Sequence, residues 1–280
     1  MISRRIFKSF VTAVLVGATL LPSIVLAQGL ILTAPPREKA EDGQKVYGPL
    51  AAHLTELLGV PVTYKHPRSW LHYQNEMRHD AYDIVFDGPH FISWRQEHLK
   101  HEVVAKLPGT LEFFLVARAD DSSVNTLDDL IGQKICGISP PNLSTLTVLD
   151  KFRNPVRQPV IKGVKGGMVG VAKAFDAGQC KAAVFRDTYY KKKLTETDRA
   201  ALKVLLHSKP IPNQGISVSR RLSPAARVRM MESLTIGEGV QATAEITRRF
   251  GGKGVKAFVP ASRAEYEGYN NLLEGVIFGW

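Results

Sequence analysis

The chain has 280 residues, of which 44% are hydrophobic and 22% charged, and its formal net charge is +11. This composition is typical of a globular protein with enough apolar material for a core, and it excludes a low-complexity or disordered chain. The basic residues are scattered apart from the run Lys191–Lys193, so we expect a solvated helix face there and no nucleic-acid partner.

The N-terminal segment has the pattern of a signal peptide. Arg4, Arg5 and Lys8 form a positive start, residues 10–26 are mostly apolar, and Ala27 offers a small residue for cleavage. A membrane anchor is the alternative, but the apolar stretch is short and interrupted by Gly and Pro. We therefore expect cleavage after Ala27.

Removal of residues 1–27 takes away three positive charges and leaves a net charge of +8. We expect an exported protein, whose positive charge can attract anions over long range. The start of the chain also approaches the twin-arginine export pattern, so general secretion and twin-arginine export both remain open.

Strand and helix patterns alternate along the mature chain. The predicted strands cover residues 30–33, 60–64, 84–86, 103–107, 113–117, 134–139, 160–164, 181–185 and 204–206. The predicted helices cover residues 45–58, 69–78, 94–98, 144–152, 168–177, 225–235, 240–249 and 262–276. Such alternation predicts an α/β fold with largely parallel sheets covered on both faces, in two runs followed by a helical tail that returns to the first run.

The stretch from Tyr82 to His90 ends the first run with a buried strand. Its apolar residues stop at Asp87-Gly88-Pro89, where Pro cannot extend a strand. Ligands of open α/β sheets bind beyond the carboxyl ends of the strands, so Asp87, His90 and Phe91 are candidate site residues. An ordinary strand-to-helix turn is the alternative.

The mature chain contains two cysteines, Cys136 and Cys180. The periplasm is oxidising, so a disulfide can form there, whereas spacing alone also allows two buried thiols. Both states stay open from the sequence.

Four segments occur in an order that resembles a known family. They are residues 45–54, 82–89, 127–134 and 208–213. Together they resemble the phosphate/phosphite/phosphonate family of ABC-transporter substrate-binding proteins, over nearly all of the mature chain.

The resemblance implies a type II periplasmic binding fold, with two α/β lobes joined by a two-strand hinge and a ligand cleft between them. Lobe 1 would be residues 28–116 with 210–280, and lobe 2 residues 117–209. The chain would cross between them near residues 115–118 and 206–212. The implied partners are a small anionic ligand and an ABC permease in the inner membrane, with the protein acting as a monomer.

The resemblance also implies the residues of the site. An oxyanion would lie on the turn before a helix of the second lobe, where Asn142, Ser144 and Thr145 are short donors. The alternative for these three residues is a plain N-cap.

Four further positions match the family's ligand contacts. Tyr47 would reach the ligand from the first lobe, or would simply pack, and His90 with Phe91 would supply an aromatic contact. Lys165 and Arg186, which follow two strands of the second lobe, would add positive charge or would be surface charges.

We find no sequence pattern that predicts catalysis, a metal site or a cofactor. No P-loop, closed nucleophile elbow or HExxH motif is present. The expected function is therefore an exported solute-binding protein for a small oxyanion of the phosphate, phosphite or phosphonate class. A ligand-sensing subunit of a membrane receptor, or a secreted enzyme that uses the cleft, are the alternatives.

Overall fold

The computed structural model describes residues 29–152 and 154–276 as an α/β protein with two large sheets and one small one. The signal peptide that we expect over residues 1–27 lies outside these described residues. Within the described part of the chain, no helix has both the length and the apolar character that crossing a membrane requires.

The strands and helices alternate through most of the chain. In chain order the strands are β1 (Leu30–Thr33), β2 (Val62–Tyr64), β3 (Ile84–Asp87), β4 (Glu102–Lys106), β5 (Thr110–Leu111), β6 (Phe113–Arg118), β7 (Lys134–Gly137), β8 (Val160–Gly163), β9 (Ala182–Arg186), β10 (Leu202–His207), β11 (Ile211–Pro212), β12 (Gly215–Val218) and β13 (Val259–Pro260). The α-helices are α1 (Ala40–Leu58), α2 (Trp70–Arg78), α3 (Pro89–His98), α4 (Leu143–Leu149), α5 (Gly167–Asp176), α6 (Asp187–Lys192), α7 (Glu196–Ala200), α8 (Pro224–Ile236), α9 (Gly239–Ala242), α10 (Ala244–Ile246) and α11 (Asn271–Glu274).

The first large sheet has the strand order β13–β4–β12–β3–β1–β2. β1 pairs in parallel with β2 and β3, whereas β12 runs antiparallel between β3 and β4. The second large sheet has the order β10–β6–β9–β7–β8, in which β7 pairs in parallel with β8 and β9 and β6 is antiparallel to β9. We call each large sheet with its helices a lobe. The sequence predicts largely parallel sheets, but both sheets are mixed. β6 enters the second sheet from the first lobe and β12 enters the first sheet from the second lobe, and each runs antiparallel to its neighbours.

The chain crosses between the lobes twice, and the small sheet lies at these crossings. It pairs β5 with β11, so that Leu111 lies opposite Ile211. The sequence predicts crossings near residues 115–118 and 206–212, and residues 115–118 belong to β6 of the second sheet. Two antiparallel crossing segments in contact form a two-strand connection of the kind that hinged proteins use.

Several element boundaries differ from the sequence prediction for local reasons. α1 begins at Ala40 rather than Lys45, since its first turn is polar and carries no apolar periodicity. The predicted helix over 262–276 is instead a 3-10 turn at Arg263–Tyr266 followed by α11, with Gly268 at φ 81° between them. The predicted helix over 240–249 is broken into α9, α10 and a π-turn over Thr247–Gly251.

One apolar cluster joins the two lobes behind the crossings. It includes Tyr73 and Phe91 from the first lobe, Leu146 of α4 from the second, and Leu272 and Leu273 of α11. The tail therefore packs between α3 and α4, the two helices that follow the predicted site turns.

Cys136 and Cys180 form a disulfide, with their Cα atoms 5.6 Å apart. The first cysteine lies in β7, opposite Ala183 of the neighbouring β9, and both cysteines are buried. Of the two states that the sequence leaves open, the structure has the bonded one.

Candidate functional site

The carboxyl ends of β1 and β3 lie side by side at one edge of the first sheet. β3 ends at Asp87, Gly88 caps α3 in an extended conformation, and Pro89 begins the helix. The loop after β1 brings Arg37 to the same edge, where its guanidinium lies 4.0 Å from the Asp87 carboxylate. This edge is where α/β sheets place ligands.

Asp87 is fully buried and bonded to protein groups on all sides. One carboxylate oxygen accepts hydrogen bonds from the Tyr73 hydroxyl and the Arg95 guanidinium, and the other accepts one from the Gly88 amide at 2.9 Å. Burial raises the pKa of Asp87, while the charges of Arg95 and Arg37 oppose that shift. Asp87 therefore holds its arginine neighbours in place. The described hydrogen bonds of its carboxylate are all made to groups of the protein itself.

Arg37 carries positive charge that its surroundings do not balance. Its guanidinium donates a described hydrogen bond to the Gln214 side chain at 3.0 Å and lies over the rings of Phe86 and Phe250 at 6.0 and 5.4 Å. The side chain is 23% exposed. Asp87 is already paired with the buried Arg95, so the two guanidinium groups share one carboxylate and one positive charge is in excess.

The sequence interpretation missed Arg37, although a signal for it exists. The residue follows β1 by the same rule that selected Asp87 after β3.

Tyr47 lies on the face of α1 that packs toward this edge. It is fully buried, with its ring 5.1 Å from that of Tyr64 and 6.1 Å from that of Phe86. Burial raises the pKa of Tyr47 well above its usual value, and the neighbouring charge of Arg37 opposes this. Its hydroxyl is thus a protonated donor, and it makes no hydrogen bond among the described residues.

His90 connects the first lobe to the second. It is buried, and its Nε2 lies 3.0 Å from the carbonyl oxygen of Pro141 in the turn before α4. Burial lowers the pKa of His90 to about 3, and the charges of Arg37 and Arg95 act in the same direction. Its Nδ1 is buried and makes no hydrogen bond in the described structure.

Phe91 has a different surrounding from its neighbour. Its ring is buried against Trp70 and Tyr73, at 6.2 and 5.6 Å. The structure therefore places Phe91 in the apolar cluster under the site, and it brings Arg37, Tyr47 and His90 together at the sheet edge.

The predicted oxyanion turn of the second lobe caps α4 with its own side chains. Asn142 accepts from the backbone N–H of Ser144 at 3.1 Å and from its hydroxyl at 2.6 Å. The Thr145 hydroxyl donates to the carbonyl of Ile138. Ser144 and Thr145 are buried and Asn142 is half-buried. The side chain of Asn142 caps α4, which is the geometry of the N-cap alternative.

Lys165 and Arg186 lie at the carboxyl edge of the second sheet. Lys165 is exposed after β8, and Arg186 ends β9 with its Nε 3.8 Å from the Asp187 carboxylate. Burial lowers the pKa of Arg186, and Asp187 opposes this. The described contacts do not join either side chain to Arg37, Tyr47 or His90.

Two surface cavities of about 640 and 550 Å³ lie apart from this edge. The larger is lined by residues between Val240 and Lys256, and the smaller by β10, α5 and the α6–α7 segment. Neither is lined by Arg37, Tyr47 or His90. Among the residues that the structure describes, no group of three His, Cys, Asp or Glu side chains could hold a metal ion.

Comparison with known proteins gives one family and a set of similar folds. The model of a family described as the phosphonate periplasmic substrate-binding protein of ABC transporters matches residues 32–266. No curated protein matches the chain.

Three solved structures illustrate the similarity of fold. XAC2383 from Xanthomonas citri, bound to ATP, has a TM-score of 0.65 at 11% identity, over 88% of this chain and 96% of that one. PhnD1 from Prochlorococcus marinus, in complex with methylphosphonate, has a TM-score of 0.59 at 13% identity, over 87% and 96%. A binding protein component of an ABC phosphonate transporter from Pseudomonas aeruginosa has a TM-score of 0.56 at 16% identity, over 85% and 83%. At such identities the likeness shows the fold alone, and this confirms the expected type II periplasmic binding fold.

Proposed function

This chain belongs to the family of phosphonate periplasmic substrate-binding proteins of ABC transporters, and we propose that it captures a small oxyanion between its lobes for delivery to a permease. The family is a transport family and not an enzyme class. The proposed ligand contacts are Arg37, Tyr47 and His90, with the turn before α4 closing the site from the second lobe.

The observation that carries the proposal is the excess positive charge of Arg37. A guanidinium that is largely removed from water needs an anionic partner, and its planar fork matches the oxygens of a phosphonate, phosphate or carboxylate. The Tyr47 hydroxyl is a buried donor without a described hydrogen bond, and the positive charge of Arg37 acts on it, since it opposes the rise of the Tyr47 pKa. A small oxyanion satisfies both groups.

The family and two of the similar structures support the phosphonate class in particular. PhnD1 holds methylphosphonate, and the protein from Pseudomonas aeruginosa is a component of a phosphonate transporter. A thermal-shift screen of the mature protein against methylphosphonate, phosphite, phosphate, sulfate and small carboxylates tests the class. A ligand at 100 times its Kd stabilises the native state by about 2.7 kcal/mol, and absence of a shift with every anion would refute the proposal.

We expect Arg37→Met to weaken the binding of methylphosphonate or phosphate by roughly 10- to 100-fold, since a charged hydrogen bond contributes about 1.5–3 kcal/mol. Arg37→Lys keeps the charge without the planar fork and should lose less. Titration calorimetry measures these losses, and unfolding by urea should show little change, because Asp87 keeps its partner Arg95.

A matched control is Arg118→Met. Arg118 also lies over a phenylalanine ring, at 4.4 Å from Phe175, and its loss changes the net charge equally. Arg118 ends β6, which is antiparallel to β9. It therefore lies at the other end of these strands from Arg186. Equal losses for both variants would mean that overall charge, and not Arg37 itself, governs binding.

We propose that the two lobes move relative to each other about a hinge at the crossings, over residues 107–112 and 208–214. This differs slightly from the division at 116 and 210 that the sequence predicts, because it keeps β6 with its sheet. Binding should close the lobes, so small-angle scattering should give a smaller radius of gyration at saturating ligand. An unchanged radius in wild type at proven saturation would contradict closure.

A further inference from the structure

The contact between His90 and Pro141 determines which ring nitrogen of His90 carries the proton. A backbone carbonyl can only accept a hydrogen bond, and the Pro141 carbonyl lies 3.0 Å from Nε2. Nε2 must therefore be the protonated nitrogen that donates across the two lobes.

The surroundings of His90 also keep the ring neutral. Two guanidinium groups act on it, Arg37 from the loop after β1 and Arg95 from α3, and burial disfavours a further positive charge. The carboxylate of Asp87, which ends β3, is engaged by Arg95 and Tyr73. Since the ring is neutral and Nε2 has the proton, Nδ1 is an acceptor with a free lone pair.

This acceptor is buried without a described partner, on the side that faces Gly88. A Cβ atom added to Gly88 would lie 3.1 Å from Nδ1 and 2.8 Å from Cε1. A side chain at position 88 would therefore meet the His90 ring, and glycine at this position lets the ring lie close to the turn. A buried acceptor that stays unpaired is costly, so a bound molecule that donates to it binds more tightly than one that cannot.

We propose that His90 Nδ1 accepts a hydrogen bond from the ligand and so makes the site selective for oxyanions that retain a proton. Phosphate and phosphonate monoanions carry a P–OH group, and the phosphate dianion still carries one. Sulfate carries none, and its oxygen lone pairs would face that of Nδ1. Arg37 provides attraction for any anion, and His90 then distinguishes protonated from fully ionised ones. This inference rests on the function proposed above.

The first test uses the wild-type protein and three anions. At neutral pH, titration calorimetry should show that sulfate binds roughly 100-fold or more weakly than inorganic phosphate, as expected where a buried group is left unpaired. Above its second pKa, methylphosphonate loses its last proton, and its affinity should fall by about tenfold per pH unit, one bound proton being linked to binding. The phosphate dianion keeps a proton, so its affinity should not show this fall.

The second test changes the acceptor. His90→Phe keeps an aromatic ring and removes both nitrogens. The ratio of the Kd for sulfate to the Kd for phosphate should then fall to about five or less. His90→Gln can donate to Pro141 and still present an acceptor, and should restore part of the discrimination. Unfolding curves of both variants show whether a loss reflects folding. If His90→Phe does not fold, the pH dependence in wild type decides the matter.

The outcomes separate this inference from the proposed function. If phosphate and sulfate bind wild type with equal affinity, or methylphosphonate binding is independent of pH, the role of His90 is overturned and oxyanion capture stands. If none of the three anions binds, oxyanion capture fails and the role of His90 fails with it.

Discussion

Asp87→Asn is expected to lower the free energy of unfolding by about 3–5 kcal/mol, because it leaves the buried guanidinium of Arg95 without its counter-charge. The Arg95 side chain is 1% exposed and that of Asp87 is fully buried. Asn has nearly the shape of Asp, so the loss reflects charge rather than packing. Urea unfolding followed by circular dichroism measures it.

The intact Asp87–Arg95 pair is itself worth much less than this loss. Burial opposes ionisation of Asp87, as its raised pKa shows, so the desolvation cost offsets much of the attraction. The double variant Asp87→Asn with Arg95→Met should therefore be more stable than the sum of the two single losses suggests.

The matched control for this prediction is Asp187→Asn. Asp187 follows β9 much as Asp87 ends β3, and both carboxylates lie beside an arginine. The Asp187 oxygen, however, is 3.8 Å from Arg186 Nε, and this pair is partly exposed. We expect a loss of about 1 kcal/mol or less. A free energy of unfolding of Asp87→Asn within about 1 kcal/mol of wild type would contradict a structural role for the buried pair.

Loss of the disulfide is expected to destabilise the protein by about 4 kcal/mol, on the chain-entropy estimate for its loop. The bonded cysteines are 44 residues apart in sequence and tie β7 to the segment that enters β9. Cys136→Ala with Cys180→Ala, or reduction of wild type, should lower Tm by on the order of 10 °C.

The double variant provides the control for reduction. A reducing agent should lower the Tm of wild type and leave that of Cys136→Ala with Cys180→Ala unchanged. If the variant unfolds at the same urea concentration as the oxidised wild type, the bridge contributes nothing to stability in this protein.

The ordered elements of the fold follow from local patterns in the sequence. Ile84, Val85 and Phe86 predicted a strand buried on both faces, and all three are fully buried in the first sheet. Gly59 ends α1 in the left-handed conformation that a glycine after a helix predicts. The sequence prediction contains no strand at β12, which is therefore a miss, and β5, β11 and β13 could not be predicted because two residues carry no periodicity.

The roles of the site residues depended on contacts that no local pattern encodes. Asp87 was predicted as a ligand contact from its position, but its bonds to Tyr73 and Arg95 occupy it within the protein. Phe91 and His90 are neighbours in sequence, yet one ring packs in the core and the other bonds to the second lobe.

The sequence by itself determined the fold class, the family resemblance and the strand ends at which we propose the site, because burial and strand termination are properties of a few adjacent residues. Only the tertiary structure decided which polar groups there remain unpaired. Arg37 has excess charge because Arg95 already pairs with Asp87, and His90 Nδ1 is left without a partner because Nε2 is the nitrogen that bonds to the carbonyl of Pro141, 51 residues away. Hydrogen bonds act over about 3 Å, so their partners are fixed only when distant segments of the chain have been brought together.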